Sequence, residues 1–211
     1  MSSDFTTDTA LLPSTPSRWN GNPSRSPLWP SLGKLHLSSP RLALTLASFA
    51  HRPARALFTF GYEGLSIDAF IERLKEAHIE LIVDVRELPL SRKKGFSKTS
   101  FREALAAEGI AYEHRPALGC PKPVRNRYKA DGDWQAYTRG FLAYLVTQKA
   151  EIADLTQTVL AQSACLVCFE ADFGFCHRTY VARAAHQAGA PAVQHLTVRT
   201  VIADAPARLA A

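Results

Sequence analysis

The sequence predicts an α/β fold: a single-domain, open, mostly parallel five-stranded sheet with helices on both faces. Three observations predict it. Short apolar runs alternate with stretches of helical periodicity from Leu57 onward, the intervals are long enough for crossover helices, and glycine, proline and capping residues fall at the joints.

Each element has its own signal. Leu57 to Tyr62 is a short apolar strand that ends at Gly61-Tyr62-Glu63-Gly64. Ser66 can then cap a helix whose apolar positions Ile67, Phe70, Ile71, Leu74 and Ala77 keep helical spacing. A buried strand follows over Leu81 to Val85, stopped by Pro89, and a basic loop runs to about Lys98. Phe101, Ala104 and Leu105 mark a second helix closed by Gly109, and Ile110, Tyr112 and His114 alternate as a third strand. A loop with Pro116, Gly119, Pro121 and Pro123 leads into two helical stretches, about 133–147 and 149–162, with Trp134, Tyr137, Phe141, Leu145, Ile152, Leu155 and Val159 inward. Ala164 to Phe169 is the fourth strand, Cys176 to Ala188 a helix ended by Gly189, and Ala192 to Val198 the fifth strand.

Residues 57–198 thus form the domain and 199–211 a C-terminal tail. Residues 1–55 differ in composition: rich in Ser, Pro and Arg, without Val or Ile, and without an acidic residue after Asp8. Their apolar stretch Leu42 to Ala50 copies a secretory signal only faintly, because some forty residues precede it. The leader is therefore read as a disordered tail, or as upstream sequence attached by a misplaced start. The chain carries a formal +6, but the first 56 residues hold six basic and two acidic side chains while the remainder holds nineteen and seventeen. The basicity of the domain is local, concentrated in the loop Arg86 to Lys98, whose five cations face Glu87 alone. No run approaches the roughly 20 apolar residues of a membrane span. Four cysteines, three of them bunched between Cys165 and Cys176, do not make a secreted disulfide scaffold. A reducing, cytoplasmic setting is expected.

In such a fold ligands gather outside the carboxyl ends of the strands. Tyr62, Asp84, Arg86, Cys168 and Glu170 all fall there. Cys165 and Cys168 form a C-x-x-C, but residues three apart on a strand face opposite sides of the sheet, so Cys165 reads as apolar filler. Cys168 and Glu170 share a face. Cys176 falls in the first turn of a helix, where free N–H groups and the dipole favour a thiolate. His177 adds a titratable ring, and Arg178 a fork suited to carboxylate or phosphate.

Four readings follow. Cys176 or Cys168 is a nucleophile, with His177 or Glu170 as proton acceptor and Arg178 holding an anionic substrate. Zinc is bound by Cys168, Cys176 and His177, with or without Glu170; adjacent side chains on a helix diverge by about 100°, which disfavours that set, so no metal or cofactor is expected. The cluster is a non-covalent pocket for a phosphate-bearing ligand. Or the cysteines are core packing. Asp84 reads both as a structural partner of Arg86 and as a carboxylate orienting His177 or Arg178. Arg92, beside Pro89 and Ser91, is placed for an anion, and Tyr62 and Tyr128 offer faces for stacking a nucleotide or single strand. Gly61 and Gly64 are too few for a dinucleotide fingerprint, and no P-loop exists.

The run Phe60-Gly61-Tyr62-Glu63-Gly64, then Val83-Asp84-Val85-Arg86 with Pro89, Ser91 and Arg92, then Phe96, Leu118-Gly119, Arg127-Tyr128, and finally Cys168-x-Glu170 with Cys176-His177-Arg178, resembles the domain-of-unknown-function family numbered 488. The resemblance spans about 57–196 and implies a compact α/β domain but no activity. Phe173 and Phe175 depart from a loop that is often more polar in the family. The expected function is a thiol-assisted enzyme on a phosphorylated or nucleotide-like substrate, with Cys176, His177, Glu170, Cys168 and Asp84 catalytic and Arg178, Arg86, Arg92, Tyr62 and Tyr128 ligand-binding. The alternative is a non-catalytic nucleotide or nucleic-acid binding module.

Overall fold

The computed structural model describes residues 56–205; the leader 1–55 and residues 206–211 lie outside the described residues. A six-stranded sheet runs through the fold in the order β3-β2-β4-β1-β5-β6. Its strands are β1 (Leu57–Gly61), β2 (Leu81–Asp84), β3 (Ala111–His114), β4 (Ala164–Cys168), β5 (Val193–Leu196) and β6 (Val201–Ala203). All pairings are parallel except β5 with β6. The sixth strand lies in the segment read from the sequence as a tail. It pairs Val201 with Leu196 across a tight hairpin fastened by Thr197, whose amide donates to the Thr200 carbonyl and whose hydroxyl accepts from the Thr200 amide.

Helices α1 (Ile67–Glu76) and α2 (Lys98–Ala107) cover one face; α4 (Trp134–Leu145), α5 (Lys149–Ala161) and α6 (His177–Gln187) cover the other. This division follows from handedness. The connections after β1 and β2 move toward the β3 edge and those before and after β4 move toward the β6 edge, so right-handed crossovers put them on opposite faces. The caps are those the sequence shows: the Ser66 hydroxyl accepts from the Ala69 amide, and Gly109 and Gly189 follow their helices with positive φ. One helix departs from expectation. Helix α3 (Lys122–Asp131) occupies the segment read as a proline loop, because prolines in a first turn remove N–H groups that have no intrahelical partner. None of its residues is fully buried, although Val124 and Tyr128 rest partly buried against the core, and it stops at Gly132 in the left-handed region.

The pleat sorts the core into two sets. Leu57, Leu81, Val83, Val85, Ala164 and Leu166 pack under α4, α5 and α6, while Phe60, Ile82, Cys165 and Val167 pack under α1 and α2 in an aromatic cluster of Phe70, Phe96 and Phe101. Cys165, fully buried on that second face, is the apolar filler that strand geometry predicts.

At the β6 edge, His195 is buried between Thr59, whose hydroxyl donates to Nδ1 at 2.8 Å, and Asp204, which accepts from Nε2 at 3.2 Å. Asp204 also takes both arms of Arg183, and Phe173 stacks on the imidazole at 4.0 Å. Burial holds the His195 pKa below its usual value against the pull of Asp204, and Arg183 holds Asp204 low. Both folded pKa values lie below the unfolded ones. The unfolded chain therefore binds more protons, and this stabilisation, complete above about pH 6.5, is lost as pH falls. Thermal melts at pH 7 and pH 5 should show a drop in midpoint that His195→Gln reduces; an equal drop in both proteins would remove the assignment to His195.

Candidate functional site

Strand β4 lies between β2 and β1, whose connections leave on the face opposite to its own, so the chain ends around it open a crevice at a topological switch point. The segment after β4 folds across the end of β1. Tyr62 and Glu63 amides donate to the carbonyls of Cys168 and Phe169, and the Glu63 carboxylate accepts from the Ala171 amide. The approach is close enough that only glycine fits below: a Cβ on Gly61 would lie 1.8 Å from the Glu170 carbonyl oxygen.

Four of the residues singled out in the sequence meet in this crevice. The Cys168 and Cys176 thiols lie 2.8 and 3.0 Å from the same oxygen, Oε2 of Glu170. His177 Nδ1 is 3.7 Å from the Cys168 sulfur and 4.0 Å from the Cys176 sulfur. One ligand atom from each of the four lies within 4.8 Å of every other. The ring of His177 is oriented from behind: Nε2 donates to the Val85 carbonyl at 2.9 Å, so in the neutral ring the Nδ1 lone pair faces the sulfurs. Phe141 packs edge-on against it.

Cys176 is not inside the helix, as the sequence reading had it. It is the N-cap of α6, with extended backbone at φ −138° and ψ 139°. The 100° divergence of helical neighbours therefore does not govern Cys176 and His177, and both reach the same point.

Electrostatics in the crevice are uneven. Burial raises the Cys168 pKa well above that of a free thiol, and burial with the Cys176 charge raises Glu170. At Cys176 burial works against ionisation, but the Cys168 hydrogen bond, the Arg178 charge and His177 outweigh it, and the thiol is held well below its ordinary value. Burial likewise works against a charged His177, but the Cys176 thiolate and the Val85 carbonyl lift its pKa.

The other sequence candidates take different places. Asp84 pairs in register with Val167 and therefore faces the α1/α2 side, away from Cys168. It accepts from Arg86 Nε at 2.8 Å, from Arg86 Nη2 at 2.5 Å and from the Tyr112 hydroxyl at 2.7 Å. Arg86 gives its remaining arm to the Tyr62 hydroxyl and the Phe96 carbonyl. Asp84, Arg86 and Tyr62 are thus a buried structural network on one face, and the cysteine cluster lies on the other. Arg178, fully buried, donates to the carbonyls of Glu170 and Ala171 and pins the crossing segment from below. Tyr128, partly buried against the core, meets Trp134 edge-on and Tyr137 at a tilt. Arg92 is exposed in the β2–α2 loop.

Two residues beside the cluster gave no signal as site residues. Cys120 and Tyr137 lie against each other close to Cys176 and Cys168, and burial raises both pKa values. Tyr137 reads from its spacing as ordinary inward packing, and Cys120 sits in a proline loop with no periodicity.

The donor set can be tested against a metal. Two thiolates, an imidazole nitrogen with a carbonyl behind it and a carboxylate oxygen suit a borderline-soft divalent ion. Tetrahedral bonds of about 2.3 Å to sulfur and about 2.0 Å to nitrogen place sulfur and nitrogen about 3.5 Å apart, near the observed 3.7 and 4.0 Å. The Glu170 oxygen, at 2.8 and 3.0 Å from the two sulfurs, would have to draw back by about half an ångström on the same bond lengths.

No curated protein and no solved structure matches the chain. A family model described as Domain of unknown function DUF488 matches residues 66–185, which include Asp84, Arg86 and all four residues of the cluster. With more than half of its length matched, the chain belongs to the DUF488 family.

Proposed function

We propose that Cys168, Glu170, Cys176 and His177 bind a zinc-class divalent ion and that the protein is a metal-dependent enzyme acting on a phosphate-bearing, nucleotide-like substrate. The convergence of four ligand atoms within 4.8 Å carries the reading. Three of those groups become anionic on losing a proton, they point at one buried spot, and the nearest arginine is engaged by backbone carbonyls. A cation at the centre resolves that crowding. When bound, such an ion supplies Lewis acidity at neutral pH.

The residues divide by exposure. Cys168, Cys176 and His177 are buried and act as fixed holders, whereas half-buried Glu170 is the member free to withdraw and accept a proton from a bound reactant. Cys176 is 1% exposed, which favours a ligand role over the attacking thiolate expected from the sequence. The substrate class is supported by the β2–α2 loop. There Glu87 is engaged by Arg125 at 2.6 Å, leaving Lys93, Arg92, Lys94 and Lys98 without an acidic partner among the described residues.

Elemental analysis of protein purified without chelators or metal-affinity resin tests the centre. About one zinc per chain is expected, lost in Cys168→Ser and Cys176→Ser and kept in Cys165→Ser, with unchanged far-UV circular dichroism. Metal-free native protein, or retention of zinc in either ligand variant, would overturn it. For the substrate class, binding of a single-stranded oligonucleotide should weaken steeply with salt and with Arg92→Ala/Lys94→Ala. Absence of binding at low salt would remove the nucleic-acid form of the substrate, and binding without turnover would turn the protein into the non-catalytic module.

A further inference from the structure

The same cluster holds a second chemistry. We infer that Cys168 and Cys176 form a peroxide-responsive dithiol that closes to a disulfide and expels the metal, so that the centre doubles as an oxidant sensor. The inference rests on the proposed metal centre for its readout, but the disulfide step is independent of it.

The argument starts from sulfur placement. Both thiols hydrogen-bond to one carboxylate oxygen and lie within 4.8 Å of each other, whereas neither of the other two cysteines belongs to that cluster. Cys165 faces the opposite side of the sheet, its thiol toward the carbonyl of Leu166, and Cys120 points to the Pro121 carbonyl. Cys168 ends a strand and Cys176 precedes a helix, and the segment between them carries three residues of 3-10 turn, Phe173–Phe175. It is this connection, rather than the sheet, that would move to bring the sulfurs to bonding distance of about 2.05 Å. The half-buried Glu170 carboxylate is the most exposed member of the cluster and the side from which a molecule as small as peroxide would reach the sulfurs.

The chemistry balances with hydrogen peroxide as the oxidant. The Cys176 thiolate attacks one peroxide oxygen; a sulfur–oxygen bond forms, the oxygen–oxygen bond breaks, and the departing hydroxide takes a proton to leave as water. Cys168 then attacks the sulfenic sulfur; the sulfur–sulfur bond forms, the sulfur–oxygen bond breaks, and a second water leaves. Two electrons pass from the sulfurs to peroxide. Zinc keeps its oxidation state and departs because both of its sulfur donors have gone. Glu170, next to both sulfurs, is the base positioned to take the proton from Cys168.

The test treats zinc-loaded and metal-free protein with stoichiometric peroxide. Zinc release is read with a chromogenic chelator, and the thiols by mass spectrometry after cleavage on the carboxyl side of Glu170, which separates Cys168 from Cys176 unless a disulfide joins them. The expected result is one zinc released per disulfide formed, reversal by dithiothreitol with zinc, and loss of the crosslink in Cys168→Ser and Cys176→Ser. Cys120→Ser and Cys165→Ser should crosslink as the native chain does. Zinc bound but neither released nor accompanied by a crosslink overturns this inference and leaves the metal centre standing. A crosslink in a protein that never binds zinc supports the dithiol and overturns the metal centre. A crosslink that requires Cys120 or Cys165 overturns the pairing.

Discussion

Asp84→Ala is expected to cost about 3–5 kcal/mol of stability, the range for removing one partner of a buried ion pair. Asp84 is fully buried and takes two donors from the Arg86 guanidinium, one from the Arg86 amide and one from Tyr112. Without it, a guanidinium 7% exposed keeps only the Tyr62 hydroxyl and the Phe96 carbonyl. Burial opposes that charge, and Asp84 is what holds it in place. The uncompensated cation, rather than the missing hydrogen bonds, dominates the loss. Urea denaturation measures it, and the double variant Asp84→Ala/Arg86→Met supplies the control, since removing both charges should recover part of the loss. A single variant within about 1 kcal/mol of native, or a double variant worse than the sum of its parts, would show that the pair does not hold this corner.

The second large effect is expected at Gly61→Ala. The new methyl would meet two backbone atoms of Glu170, at 1.8 and 2.5 Å, and β1 is clamped between β4 and β5. Neither side can yield as a side chain would. The cost is expected at or beyond the top of the about 1–3 kcal/mol typical of overpacking, and metal retention should fall with it because Glu170 is displaced. Gly64→Ala is the comparison. It has open space around the new carbon but φ of +77°, so it should lose only the about 1–2 kcal/mol of left-handed strain. Equal losses at the two positions would mean that contact with Glu170 is not what requires glycine at 61.

Most of the architecture was readable because the periods are strong. Phe70, Ile71 and Leu74 follow a helical repeat, the central strands are continuously apolar, and Ser66, Gly109 and Gly189 mark ends by mechanisms that act within a few residues. Two elements were not. Strand β6 has three residues, all exposed, and therefore no pattern to show; α3 has no fully buried residue and starts at Pro121 and Pro123, so its sequence reads as a loop. At the site, the grouping of Cys168, Glu170, Cys176 and His177 at one strand end was legible from spacing, but the convergence of Cys176 and His177 on one point was not, because it depends on Cys176 being an extended N-cap rather than a helical residue. The separation of Asp84 and Arg86 from them was not, because it depends on β2 and β4 being aligned as Asp84 with Val167. Register between strands some eighty residues apart is set by tertiary packing, not by anything local. The role of Arg178 was hidden for a similar reason: a fork that suits an anion also suits two adjacent carbonyls, and only the crossing of the chain over Gly61 decides between them.

That alignment constrains how this protein can change. Because alternate residues of a strand serve opposite sides of the sheet, inserting or deleting a single residue in β4 would deliver Val167 to the crevice and turn Cys168 toward the aromatic layer, undoing two environments at once. Point substitutions can be tried one at a time, but length changes within the central strands cannot. Variation in chain length among viable descendants of this sequence is therefore expected at the rim, in the stretch Leu90 to Lys94 of the β2–α2 loop and around α3, where no fully buried side chain depends on the count.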